Sequence, residues 1–457
     1  MTSSPTRPDA LPALPRLAFL DGLRGLAAGY VVLHHAALLV PPDQLSPLML
    51  PARFLLRHGH SAVAVFIVAS GFCLMRAIVR DTADAPRFFD YLGRRARRIL
   101  PPYYAALFLS CLAIAFIPPL GHATGARWDR ALPALKLENV LAHIALVHNV
   151  DLAWLYKIDP PMWCVATEWQ LYLLFPLLVA VWRRWGVVSL VSVGFALGYG
   201  VAALAMPLHN LALRDLCPWY AGLFTLGMTA AVASSSGLME RWRSPLIPSV
   251  LLGLLAIFAA TRAMSVEYYR SFMISDPLVG LATAALLVRW TNCRERVRCQ
   301  QLPALCSTAA AEASFPPLRS GGKRGGRFSL SPLPSQGGES RGVHRMLLVR
   351  LLETPALIGL GKRSYSLYLI HYPLLALADA ALRGMAFSPS SRLLALLTLA
   401  APLCLVAADL FHRAFERPFL SPGARGHAAS PHMHAHSGRE PSRTADVLRS
   451  REMPVHG

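Results

Sequence analysis

The chain is poor in charge. Only 15% of its 457 residues are Asp, Glu, Lys or Arg, against roughly 25% in soluble domains, which argues against an ordinary cytoplasmic enzyme. It also lacks the low hydrophobicity of a disordered chain, since 54% of its residues are hydrophobic. No Gly-X-Y period and no sustained heptad runs through it, so collagen-like and coiled-coil architectures are excluded. No C-x-x-C pair occurs among its eight cysteines, which leaves zinc and redox motifs without support. Most of those cysteines lie in apolar runs, where a thiol behaves as a small hydrophobe. Acidic residues are scarce as well, 25 against 45 basic, for a net charge of +20. In a soluble protein that excess would suggest nucleic acid. Here the basic residues fall between apolar runs, as topology determinants do, and no nucleic-acid partner is expected.

What the chain does contain is long apolar runs, each near the roughly 20 residues that a membrane span requires. They cover about 17–40, 61–79, 100–117, 163–183, 187–206, 217–234, 247–263, 273–290, 365–383 and 393–412. The predicted fold is therefore all-α, a polytopic membrane bundle of about ten transmembrane helices. The first run is too long for a signal-peptide core, carries Arg24 and two histidines, and has no A-x-A site after it. It reads as a retained helix. Arginine is dense in the segment 76–99, which by the positive-inside rule places that loop and both termini in the cytoplasm. The expected location is the inner (cytoplasmic) membrane, among membrane lipids; nothing in the sequence speaks to oligomeric state. A short re-entrant or interfacial helix is expected at 138–149, within the outer loop 118–162.

The predicted organisation is a cytoplasmic N-terminal tail at 1–16, a membrane domain at 17–420 and a disordered cytoplasmic tail at 421–457. Residues 292–345 interrupt the membrane domain. They are rich in Arg, Ser, Gly and Pro, a composition that cannot bury a core. They read as a low-complexity cytoplasmic insert. The His432-x-His434-x-His436 run in the tail is a solvated segment in this reading, and no metal site is predicted.

Ionisable residues inside spans are costly and mark function by default. In LDGLRGLAAGYVVLHHA, Arg24 and His35 are eleven positions apart. At helical periodicity they lie roughly 20° from exact alignment and about 16 Å apart along the axis. Asp21 sits one turn before Arg24, so the three can line one polar track. Snorkelling of Arg24 to the inner surface, with His35 as an interhelical hydrogen-bonder, is the plainer alternative. In RRARRILPPYY, Arg95 and Arg98 approach the third span from the cytoplasmic side. A dense guanidinium group there can grip phosphates bidentately, or act as a stop signal beside anionic lipid. Glu168 opens the run WCVATEWQLYLLFPLL, where a carboxylate can orient a histidine. His371 lies within the ninth span, and Glu416 near the end of the last.

Six collinear pieces resemble the membrane-bound acyltransferase 3 family. They are LDGLRGLAA with His35 after Arg24-x10, VFIVASGFCL, RRARRILPPYY, WCVATEWQLYLLFPLL, SYSLYLIHYP and FERPF. The resemblance runs from Leu20 to about Phe419, with 292–345 foreign to it. It implies a ten-helix inner-membrane O-acyltransferase. Such an enzyme moves an acyl group, usually acetyl, from cytoplasmic acyl-CoA to a hydroxyl of a cell-surface or lipid-linked carbohydrate. It also implies that the Arg-x10-His signature falls on Arg24 and His35. On this reading His35 is catalytic base or acyl carrier, and Arg24 positions the donor or stabilises oxyanion charge. Arg95 and Arg98 bind the acyl-CoA donor, while Glu168, Asp21 and His371 are supporting polar groups. The family often has Ser or Leu where this chain has Cys164 and Thr167, a departure that bears on specificity. A transporter or flippase for an anionic or acylated metabolite would use the same basic mouth and buried charges. No internal repeat pairing the two halves supports it.

Overall fold

The structure is a computed structural model that describes residues 17–80, 88–205, 216–235, 270–301 and 348–420. The main elements are α1 (Ala18–Leu38), α2 (Gly59–Arg80), α3 (Phe88–Phe116), α4 (Leu137–Ile144), α5 (Trp163–Ala205) and α6 (Tyr220–Ser235). After them come α7 (Arg270–Gln301), α8 (Pro355–Lys362), α9 (Ser364–Gly384) and the rod Pro389–Phe419, here α10. No strand occurs among the described residues. Five of these helices are long and apolar enough to cross a membrane: Pro47–Val79, Phe88–Phe116, Pro160–Leu204, Phe272–Thr291 and Pro389–Phe419. The protein is thus an all-α multi-pass membrane bundle.

Ten spans are expected from the sequence, and the five long apolar helices are counted among the described residues alone. The run 247–263 lies outside the described residues, as do 1–16, 302–347 and 421–457. The expected spans 163–183 and 187–206 are two helices that meet at a kink at Gly186, whose φ of 82° only glycine adopts without strain; they are numbered together here as α5. α1 and α9, with 21 residues each, can also reach across a bilayer by length. Both carry charged residues, which lowers their hydropathy and marks them as interior to the bundle. α7 continues to Gln301, beyond 292, where the insert is expected to begin. The expected helix in the outer loop is present, shorter, as α4.

α1 packs against α2 on one side and against α8 and α9 on the other. α2 in turn packs on α6 and α7, and α9 on α10. Small residues allow these approaches, as is usual where lipid removes the hydrophobic drive for helix association. A Cβ added at Gly227 on α6 would stand 2.0 Å from the Val68 carbonyl oxygen of α2, and one at Gly361 only 1.8 Å from that of Asp21. Charge pairs tie the last helices together. Buried Asp379 of α9 accepts from Arg383 Nε at 2.8 Å and from Arg392 Nε of α10 at 3.0 Å. This arrangement leaves two cavities stacked along α1, one beside its beginning and one beside its end.

Candidate active site

The larger cavity, about 640 Å³, lies beside the C-terminal half of α1. His34 and His35 reach it from α1, Tyr368 and Tyr372 from α9, Trp163 and Cys164 from the start of α5. Arg53 and Arg57 come from the turn before α2, and Arg127 and Arg130 from the loop after α3. No Asp or Glu is among its lining residues within the described part of the chain. Aromatic walls with a few convergent polar groups are the usual makeup of a small-molecule site.

His35 is held from behind by His371. Its Nδ1 lies 2.7 Å from His371 Nε2, with the two rings stacked at 4.9 Å. The partners fix the protons. His371 Nδ1 faces the carbonyl oxygens of Leu367 at 3.1 Å and Tyr368 at 2.9 Å, which only accept. In the neutral ring it must therefore carry the hydrogen on Nδ1 and accept on Nε2. His35 then donates from Nδ1 and keeps its lone pair on Nε2, the nitrogen left for the cavity. Tyr372 wedges edge-on against the His35 ring at 5.2 Å and limits its rotation. His371 is fully buried and outside the lining. It is a positioning residue. His34 shares the cavity wall, but its Nδ1 donates to the Leu56 carbonyl at 2.6 Å, which anchors the turn before α2.

The smaller cavity, about 100 Å³, lies beside the first half of α1. Arg24, Arg95, Arg98 and Lys362 bring positive charge to it, Glu168 and Glu416 negative charge. Glu168 accepts hydrogen bonds from Ser70 Oγ at 2.6 Å and from the Tyr172 hydroxyl. Arg95 stands 5.9 Å from the Tyr172 ring centroid, within cation–π range. Glu416 accepts from Ser366 Oγ at 2.5 Å and from His412 Nδ1 at 2.8 Å. Both carboxylates are thus held by side-chain donors, and the four cations of the wall outnumber them, a balance that suits a phosphate-bearing group. The two cavities adjoin at Val63, Cys164 and Tyr368, which line both.

The structure therefore gathers Arg24, Arg95, Arg98 and Glu168 in one cavity and His35 in the other, with His371 behind it. The hydrogen bonds of Glu168 run to Ser70 and Tyr172, where the sequence reading expects a histidine beside it. It follows Cys164 by one helical turn, so the same face of α5 meets His35's cavity at Cys164 and the arginine cavity at Glu168. Asp21 is outside the lining of both cavities, its carbonyl pressed against Gly361 at the start of α1. Sequence reasoning missed the four arginines of the larger cavity, because they come from two loops distant along the chain. It also missed His60 and Asp276, although an aspartate inside an apolar run was a visible signal.

The segment between α3 and α5 holds a buried histidine pair. His143 and His148 stack at 3.8 Å with their planes 9° apart. Burial pushes the His143 imidazole down to about 4 and His148 well below the usual histidine range, the latter also through its proximity to His143. Asp159, equally enclosed, is pushed well above the carboxylate range by desolvation.

The chain belongs to the acyltransferase 3 family, whose acyltransferase-domain model matches residues 17–316. Among individual proteins, it is 25% identical to acyltransferase MdmB of Streptomyces mycarofaciens over 432 residues, 89% of this chain and 92% of that one. It is 22% identical to O-acetyltransferase OatA of Staphylococcus aureus (strain NCTC 8325 / PS 47) over 373 residues, 79% of this chain. The alignment spans about half the length of that relative, 51%. No solved structure matches the chain significantly.

Proposed function

We propose that the protein is a membrane O-acyltransferase that moves an acyl group, acetyl in the first instance, from acyl-CoA to a carbohydrate hydroxyl. The observation that carries the reading is the His35–His371 pair, which leaves a basic nitrogen facing a cavity large enough for an acceptor. His35 Nε2 takes the proton of the acceptor hydroxyl as its oxygen attacks the thioester carbonyl. The arginine cavity holds the donor: Arg24, Arg95 and Arg98 face the CoA phosphates. Arg24 lies about 16 Å from His35 along α1, so it serves the donor and not the oxyanion. The acyl end passes the shared layer at Val63, Cys164 and Tyr368. The arginine cavity faces the cytoplasm of the inner membrane, and both termini lie on that side, because the arginine-rich start of α3 is there. Residues 17–420 form the catalytic domain, and 302–345 is a dispensable insert.

The four arginines of the wall, Arg53, Arg57, Arg127 and Arg130, favour an acceptor that itself bears negative charge, with the aromatic residues stacking on its ring. The test is transfer of label from radiolabelled acetyl-CoA in membranes that contain the protein. Comparison of surface glycans from a deletion strain and its parent by mass spectrometry identifies the acceptor. Movement of label across the membrane without covalent transfer would replace the enzyme by a transporter.

A further inference from the structure

His60, at the beginning of α2, faces the same cavity as His35 from the opposite wall, together with Cys217. Its Nδ1 lies 3.3 Å from Asp276 Oδ2 and 3.4 Å from Oδ1, so the ring donates there and Nε2 is the acceptor. Cys217 Sγ lies 3.5 Å from that Nε2. Asp276 is fully buried on α7 and is fixed by a 2.9 Å hydrogen bond from Trp219 Nε1. The imidazole is clamped flat on Phe272 at 3.9 Å and stacked against Trp163 at 5.9 Å. The Tyr220 hydroxyl stands beside both ring nitrogens at 3.4–3.5 Å. Cys217 occupies the turn before α6 with φ 53°, a left-handed conformation uncommon for a side-chain-bearing residue and often found at functional sites.

A nucleophile, a base in reach of it and a carboxylate that orients the base form the logic of covalent acyl transfer, whatever the fold. We propose that Cys217, His60 and Asp276 form a thiol acyl-relay site that accepts the acyl group of an acyl thioester before it reaches the carbohydrate. The inference rests on the acyltransferase reading above. The Cys217 thiol gives its proton to His60 Nε2, and the sulfur attacks the acyl carbonyl of acyl-CoA. A C–S bond to Cys217 forms, the C–S bond to CoA breaks, and the proton on His60 passes to the leaving CoA thiolate. In the second step the acceptor hydroxyl loses its proton to His35 and its oxygen attacks the Cys217 thioester. The C–O bond forms, the C–S bond breaks, and the Cys217 thiolate takes up the acceptor's proton from His35, which returns to its neutral form. No oxidant or reductant is involved. Cys217 and His60 are the reacting groups, and Asp276 is a positioning residue.

The experiment incubates the purified full chain with radiolabelled acetyl-CoA without acceptor, then maps label by peptide mass spectrometry. Expected is label on Cys217 that neutral hydroxylamine removes, absent in Cys217→Ala and Cys217→Ser. His35→Ala should still acquire the label but pass none of it to acceptor. Asp276→Asn should slow labelling by roughly tenfold or more while the donor KM stays near the parent value, a split that mere loosening of the fold would not give. A parent that transfers acetyl to acceptor but carries no label, with Cys217→Ala fully active, overturns the relay and leaves the transferase intact. Label on Cys164 instead also overturns it. A parent that neither releases CoA nor transfers acetyl overturns both readings. If the Cys217 variants fail to insert, the map of the parent alone decides.

Discussion

Replacement of His371 by Phe tests the proton positions assigned to the His35–His371 pair. The ring volume survives, but the acceptor 2.7 Å from His35 Nδ1 disappears. His35 then keeps a buried N–H without a partner, at a cost of about 1–3 kcal/mol. Two relaxations are open to it. The ring can rotate away from Tyr372, or it can move the proton to Nε2, and either removes the lone pair from the cavity. If that penalty is expressed in the transition state, kcat falls by roughly 5- to 150-fold, at 1.36 kcal/mol for each factor of ten. The donor KM should stay put, because the arginines line the other cavity. His371→Gln separates orientation from bulk, since a Gln amide oxygen reaches about as far as a His Nε2 and can accept from His35. It should recover part of the lost rate. The assay is steady-state acetyl transfer in membranes, normalised to inserted protein. A His371→Phe enzyme with parental kcat, or a Gln variant no better than Phe, would refute the assigned proton positions.

Arg95→Lys and Arg98→Lys keep the charge that sets topology but lose the planar fork that grips phosphate. The donor KM should rise while the acceptor KM hardly moves, as read from donor-dependent kinetics. Acidification should loosen the loop 118–162. His143 ionises near 4 in the fold and near 6.5 when released, so the unfolded loop binds more protons between those values. The stability it contributes is complete above pH 6.5 and is lost as pH falls towards 4, by roughly 3 kcal/mol in all. Amide exchange in that loop at pH 7 and pH 5 should show it, and His143→Phe should flatten the difference. Replacing 302–345 by a short Gly/Ser linker should leave transfer intact, as measured in the same membrane assay on correctly inserted protein.

Much of the arginine cavity was legible in the sequence. Arg24, Arg95 and Arg98 stand out because charge inside or beside an apolar run is expensive, and all three line one cavity. His35 and His371 are legible singly for the same reason. Their contact is not, because 336 positions separate them and periodicity within one helix says nothing about which helix packs opposite. The facial alignment of Arg24 with His35 holds as helix geometry, yet the bundle divides their shared face into two chambers at Val63, Cys164 and Tyr368. No spacing rule reveals such a partition, since it arises from three helices meeting. The arginines of the larger cavity, Arg53, Arg57, Arg127 and Arg130, lie in two segments far apart in the sequence. Only folding of the turn before α2 and the loop after α3 brings them to one wall. Glu168 shows the limit of reading depth from sequence, because one helical turn decides which chamber it serves.

The central claim is that His35 performs the acyl-transfer chemistry, and His34 supplies its natural control. The two are adjacent in sequence and line the same cavity, but His34 Nδ1 is committed to the Leu56 carbonyl. The deciding measurement is the rate of acetyl transfer to acceptor by His35→Ala and His34→Ala enzymes, in membranes with verified insertion and topology. Loss of roughly a hundredfold or more in His35→Ala, the range of general-base catalysis, with a milder loss in His34→Ala, is the predicted result. Equal losses in the two variants, or parental rates in His35→Ala, would contradict it.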